Sequence, residues 1–239
     1  MPGAVGGKGG DVTLEGVRRA NMVWQRIRQR AADSAAGRPL DPPPVVVRRM
    51  PGPSPEAEAA DWPSVDVVVA GGTLGIFVAG ALQRNGLKVA VVERGLVQGR
   101  AQEWNLNPDE LAPLVAEGVI GAEDLDAAIT SRWPASRVGV EGDYKVRFDA
   151  AALNAGVSPE KLVVAARARF EAEGGLIIER AALEVTEVYD DAALVRMAVG
   201  AADGGSSSPA GVKARLVIDA MGAASPIVAQ AREGAAPDA

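Results

Sequence analysis

The chain has 239 residues, 48% hydrophobic and 23% charged, an ordinary globular composition that excludes a wholly disordered or fibrous protein. It contains no Cys and no His. That excludes a disulfide framework, a thiolate nucleophile, a Ser-His-Asp triad, imidazole or cysteine metal sites and a histidyl or cysteinyl cofactor tether, and no metal is expected. Residues 1–60 carry a net charge of +3 and the remainder −9, with nine aromatic residues in all; an acidic body this poor in aromatics argues against nucleic acid as a partner.

In chain order, residues 12–30 place Leu14, Val17, Ala20, Val23, Trp24 and Ile27 at helical spacing, opposed by Arg18, Arg19, Arg26 and Arg30. This predicts a basic amphipathic helical arm over 1–33, read first as a helix packed on the body or fraying. The sharper reading is a targeting segment or a membrane-surface helix; Asp11, Glu15 and the scarcity of Ser speak against targeting. Eight of the 16 prolines lie between 39 and 63, so 34–63 is expected to be an extended linker. A domain from 64 to 239 follows.

Val65 to Ala70 is an apolar run of the kind found in strands buried on both faces, and Leu74 to Asn85 turns to helix formers ended by Gly86. Leu87 to Val92 is a second strand, completing a βαβ unit with parallel strands. The apolar stretch Val67 to Leu82 has 16 residues, short of the roughly 20 a membrane span needs, and its glycines fit a turn better. Asn107-Pro108-Asp109-Glu110 reads as a helix start, with Pro113 predicting a kink, and a short helix is expected over Glu123 to Ser131. Ser158-Pro159-Glu160 starts another helix that stops at Gly174-Gly175. Leu183 to Val188 and Ala192 to Val199 alternate as an antiparallel hairpin, 201–211 is a low-complexity loop, and Val212 to Asp219 is a last strand. The pattern is α/β: a Rossmann-like, doubly wound domain with a parallel sheet and an added antiparallel hairpin or meander.

The residues with chemical potential cluster at two places. The turn Ala70-Gly71-Gly72-Thr73-Leu74-Gly75 lies between strand and helix, where a dinucleotide pyrophosphate would rest on free N–H groups at the positive end of the helix. Gly72 leaves room for the phosphates and Gly75 lets helix and strand approach, although Ala70 stands where the first glycine of the usual spacing would be. Glu93 follows the central glycine by 21 residues, placing a carboxylate where it can accept both ribose hydroxyls of an adenosine and repel a 2′-phosphate. A plain α/β turn with an exposed Glu is the alternative. The second place is Asp219-Ala220-Met221-Gly222-Ala223-Ala224-Ser225-Pro226. Glu103, Glu141 and Tyr144 are polar groups in loops, and the residues themselves identify no catalytic acid or base.

Asp66 to Gly75, Val91-Val92-Glu93-Arg94-Gly95 and Leu216 to Gly222 together resemble the FAD-dependent oxidoreductases of the lycopene cyclase, geranylgeranyl reductase and aromatic hydroxylase type. Gln102-Glu103-Trp104-Asn105 and the two short helices are similar to a plant, algal and cyanobacterial branch of FAD/NAD(P)-binding oxidoreductases. The resemblance covers about residues 64–230 and implies FAD as cofactor, with NAD(P)H as a possible electron donor. It places Gly72 and Gly75 at the pyrophosphate, Glu93 at the adenine ribose and Arg100 at the diphosphate, with a solvated loop charge the equal alternative for Arg100, and it counts Ala70, Gly71, Thr73, Leu74 and Arg94 among the cofactor-binding residues. Asp219 falls at the ribityl or pyrophosphate region, with Gly222 and Ser225 beside it; Trp104 and Asn105 are expected to line the cleft.

The resemblance further implies a small-molecule substrate, isoprenoid or otherwise apolar, peripheral membrane association without a transmembrane segment, and a chloroplast location, with the cytoplasm as the other. Relatives continue well past the Asp219 motif, so this chain is expected to be their amino-terminal FAD-binding portion, incomplete relative to the family and with the substrate domain largely missing. An NAD-binding reductase domain and a catalytically inactive dinucleotide-binding or interaction module are the two alternatives.

Overall fold

A computed structural model describes residues 9–39, 44–57, 59–139, 145–148, 153–199, 211–222 and 225–232. The chain divides into two compact units, Met1–Val46 with Gly222–Ala239, and Val47–Met221. In the first, helix α1 runs over Gly9–Ala35, and Gly37, with φ of 65°, turns the chain out of it. The short helix α6, Pro226–Ala231, is capped by Ser225, whose Oγ accepts from the N–H groups of Ile227 and Val228. Gln230 on α6 accepts from the N–H groups of Val45 and Val46 and donates to the Val46 carbonyl.

The larger unit is built on one sheet. Strands β2 (Ser64–Ala70), β3 (Val89–Val92), β9 (Leu176–Ile178) and β12 (Gly211–Asp219) pair in parallel in the order β12-β2-β3-β9. The antiparallel hairpin β10 (Ala181–Val188) and β11 (Ala193–Val199) continues the sheet beyond β12. Strand β1, Val46–Arg48, lies at the edge beside β10. This is the α/β architecture with a largely parallel sheet and an antiparallel meander that the sequence predicts.

The strand sequences explain the layers. On β2 and β3, Val67, Val69, Val89 and Val91 point to one face and pack with Ile76 and Ala79 of helix α2 (Gly72–Arg84) and with Leu162, Val163, Ala166 and Phe170 of helix α5 (Pro159–Ala172). Their alternates Val68, Ala90 and Val92 pack with Val195, Met197, Val212 and Ala214 of the meander. Both faces are dry, which is why these strands read as unbroken apolar runs. Helix α5 starts as expected, with Ser158 Oγ accepting from Lys161 N–H and Pro159 in the first turn.

Two segments differ in detail from the expectation. The helix begun at Asn107 is a 3-10 turn, Pro108–Glu110, followed by the separate α3, Ala112–Ala116; Pro113 has no N–H to carry a continuous ladder. The next helix, α4, spans only Ala122–Ala128, because Ile129–Arg132 becomes strand β5. That strand and β4 (Trp104–Leu106) flank β8 (Ala155–Val157) in a second, antiparallel sheet. A two-stranded ribbon joins β6, Ser136–Gly139, to β7, Lys145–Phe148.

The described part of the proline-rich stretch is anchored to the larger unit at Ser54. Ser54 is buried, and its N–H and hydroxyl both donate to the carboxylate of Asp191. Arg49 and Arg196 each contribute two guanidinium nitrogens to Glu187 at 2.9–3.0 Å. Burial pushes the Glu187 carboxyl up, but the two guanidinium groups outweigh it and hold it below its ordinary range. The Arg196 guanidinium also lies 5.1 Å from the Trp62 ring centroid.

Candidate functional site

The site grows from the end of β2. Ala70 is the last strand residue, Gly71 takes φ of 100° as the helix N-cap, and Gly72 opens α2. Gly71 N–H donates to the Val92 carbonyl, and the Ala70 carbonyl accepts from Ala220 N–H at 2.7 Å. The turn therefore sits between the ends of β3 and β12. A Cβ on Gly71 would lie 2.6 Å from the carbonyl carbon and oxygen of Ala220. Only glycine combines that positive φ with so close a backbone approach.

The other two glycines serve packing. A Cβ on Gly72 would come within 2.6 Å of the Val97 side chain, and one on Gly75 within 2.7 Å of Val69. The room at Gly72, read from the sequence as space for a phosphate, is thus partly taken by Val97, while its N–H faces a carboxylate.

That carboxylate is Glu93. Its Oε2 accepts from Gly72 N–H and its Oε1 from Gly95 N–H, both at 2.8 Å. Glu93 thereby ties the glycine turn to the loop after β3, at the position from which a ribose would be reached. Helix α2 has no side-chain cap and no acidic residue in its first turn, so the positive end of its dipole and its first N–H groups are not neutralised by its own residues. Thr73 is half-buried and Leu74 exposed. Such an end suits an anionic group with hydroxyls beside it, which is the chemistry of an adenosine diphosphate moiety.

Asp219 reaches the same place from β12, pairing with Ala70 in the parallel register. Its Oδ1 accepts from Met221 N–H at 2.9 Å, shaping the bend after the strand. The tertiary fold thus brings Ala70, Gly71, Gly72, Gly75, Glu93 and Asp219 together. Arg94 and Arg100 are exposed on the loop after β3. Gly222, with φ of 75°, and Ser225, which caps α6, belong to the other unit. Trp104 packs against the core and Asn105 is exposed. Glu103 accepts from the Thr130 and Ser131 hydroxyls, and Glu141 and Tyr144 lie outside the described residues.

Three further residues support the site without any signal in the sequence. Val97 is buried, and its N–H donates to Glu179 at 2.6 Å. Glu179 is in turn held by Arg167 on α5 at 2.6 Å. Burial works against the Arg167 charge, but its pKa is raised, first by the hydrogen bond to Glu171 and then by Glu179. This chain of contacts presses Val97 onto Gly72. Among the described residues there is no cluster of carboxylates suited to a metal ion, and no helix is long and apolar enough to cross a membrane.

With this geometry in place, the sequence profile of the lycopene cyclase protein family matches residues 66–235. The chain belongs to that family. No curated protein matches it, whereas solved structures do. A flavoprotein/dehydrogenase from Cytophaga hutchinsonii is 18% identical, with a TM-score of 0.51, over 66% of this chain and 39% of that one. Halogenase PltM is 18% identical, with a TM-score of 0.53, over 70% and 36%. OxyS anhydrotetracycline hydroxylase from Streptomyces rimosus is 20% identical, with a TM-score of 0.53, over 70% and 33%. At these identities the likeness is one of fold, and this lycopene cyclase family chain spans between a third and two fifths of the length of those proteins.

Proposed function

We propose that this chain is the FAD-binding portion of a flavin-dependent oxidoreductase that holds the cofactor through its ADP moiety. The observation that carries the reading is the junction at the ends of β2, β3 and β12. There a helix end with no side-chain cap of its own, the Glu93 carboxylate on Gly72 N–H, and Asp219 converge. The family membership supports it, as does the fold shared with a flavoprotein/dehydrogenase. In this reading Glu93 also accepts the ribose hydroxyls, the N–H groups of α2 that follow Gly72 face the pyrophosphate, and Arg94 and Arg100 lie along the cofactor. FAD would supply the redox chemistry, and the chain supplies binding, orientation and fixed charge.

The wider reading includes NAD(P)H as electron donor, a small apolar substrate such as an isoprenoid, a chloroplast location, and a division into an arm at 1–33, a connection at 34–63 and the cofactor domain from 64 onward. The test is the visible spectrum of the purified chain after incubation with FAD and desalting. Retained flavin absorbance supports the proposal. A folded chain that takes up no FAD, alone and when joined to the remaining segment of a longer relative, overturns it.

A further inference from the structure

We infer that helix α1 is a membrane-surface helix, docking through one side on anionic lipid bilayers. Successive residues of a helix turn by about 100°, so Val17, Ala20, Trp24, Ile27 and Ala31, spaced alternately three and four apart, line one side. Arg30 falls along one margin of that side and Arg28 along the other, with Arg19 beyond Arg30 and Arg26 on the opposite side. Val17 is 60% exposed and Trp24 47% exposed, while Ile27 and Ala31 are half-buried. A large apolar ring and a β-branched side chain thus stand in water on a helix whose opposite side holds Glu15, Arg18, Gln25, Arg26 and Gln29 around a single exposed methionine, Met22.

The occupant follows from charge. The helix holds five arginines against three acids, and two of those acids are engaged locally. Glu15 pairs with Arg19 at 3.8 Å, and Asp33 accepts from Gln29 and Arg38. The hydrogen bond from Arg38, followed by that from Gln29, holds the Asp33 carboxyl below its ordinary range. Arg18, Arg26 and Arg28 are exposed. The rest of the chain is net negative and would be repelled by an anionic surface, so contact must come through the arm, where residues 1–60 carry +3. Arginines flanking an apolar strip can lay their stems along the acyl boundary while their charged heads reach the phosphates. A helix with so polar an opposite side lies in the interface and does not cross it. This inference is independent of the cofactor reading, because it concerns a different segment and its test does not involve flavin.

The test is co-sedimentation of the full chain with vesicles of phosphatidylcholine alone or mixed with phosphatidylglycerol. Binding to the mixed vesicles, weakened by salt, is expected, with little to phosphatidylcholine alone. Each flanking arginine near an anionic surface is worth about a fivefold change in partition, so an Arg28→Ala variant should bind roughly fivefold more weakly. Alanine is the better helix former, and far-UV circular dichroism checks that the helix content is kept. Trp24→Glu, on the apolar side, should lose far more binding than Met22→Glu, which adds the same charge on the opposite side. Equal binding to both vesicle types, no binding to either, or equal losses for the Trp24 and Met22 variants would overturn the proposal.

Discussion

Replacing Thr73 by Asp separates the stability of the glycine turn from its ability to hold a phosphate. Thr73 is the second residue of α2, which has neither a side-chain cap nor an acidic residue in its first turn. A carboxylate there gains about 0.3–1 kcal/mol from the dipole, offset by repulsion from the Glu93 carboxylate already on Gly72 N–H, so Tm should change by no more than roughly 1–4 °C for a domain of this size. Against a bound pyrophosphate the added charge only repels. Two like charges about 4 Å apart repel by about 1 kcal/mol in water and about 4 kcal/mol at the effective dielectric of a protein surface. FAD affinity should therefore fall by about fivefold at least. The assay is flavin fluorescence quenching on titration, with thermal denaturation of the cofactor-free chain alongside. A Thr73→Asp chain that keeps its Tm and shows unchanged FAD affinity would refute the placement of the pyrophosphate at α2. Gly72→Asp cannot make this distinction, since any Cβ at Gly72 meets Val97.

Other consequences follow from contacts already described. Gly71→Ala forces a side chain into a φ of 100° and against the Ala220 carbonyl, so urea denaturation should show a loss of about 2–5 kcal/mol. Gly211→Ala would drive a methyl into the Trp62 ring, costing about 1–3 kcal/mol and shifting tryptophan emission as the ring is displaced. The Glu187 carboxyl is held below its ordinary value of 4.5, so its ionised form binds the fold more tightly than its protonated form does. That contribution is complete above about pH 4.5 and is lost as pH falls through the lower folded value. Glu187→Gln should accordingly be less stable at neutral pH and show a shallower loss of stability on acidification, followed by denaturant midpoints across that range.

Local signals in the sequence determined much of the scaffold. The valine runs specified β2 and β3, Ser158 with Pro159 specified the start of α5, and Asp190-Asp191 specified the hairpin turn, because each rests on neighbours within a few residues. The spacing from Gly72 to Glu93 likewise fixed which residues could meet, since a strand, a helix and a short return allow little else. Other features needed the whole chain. Ile129–Arg132 is a strand only because β8 offers it partners, and β9 exists because the edge of β3 is open to it. The docking of Ser54 on Asp191 is equally invisible in a run of prolines. At the site, composition suggested that the glycines make room for a ligand. The tertiary structure decided that Gly71 makes room for Ala220 and Gly72 for Val97, while Glu93 takes the Gly72 N–H. Those neighbours lie from 21 to 149 residues away, and nothing in a local pattern encodes which distant backbone will press against a missing side chain.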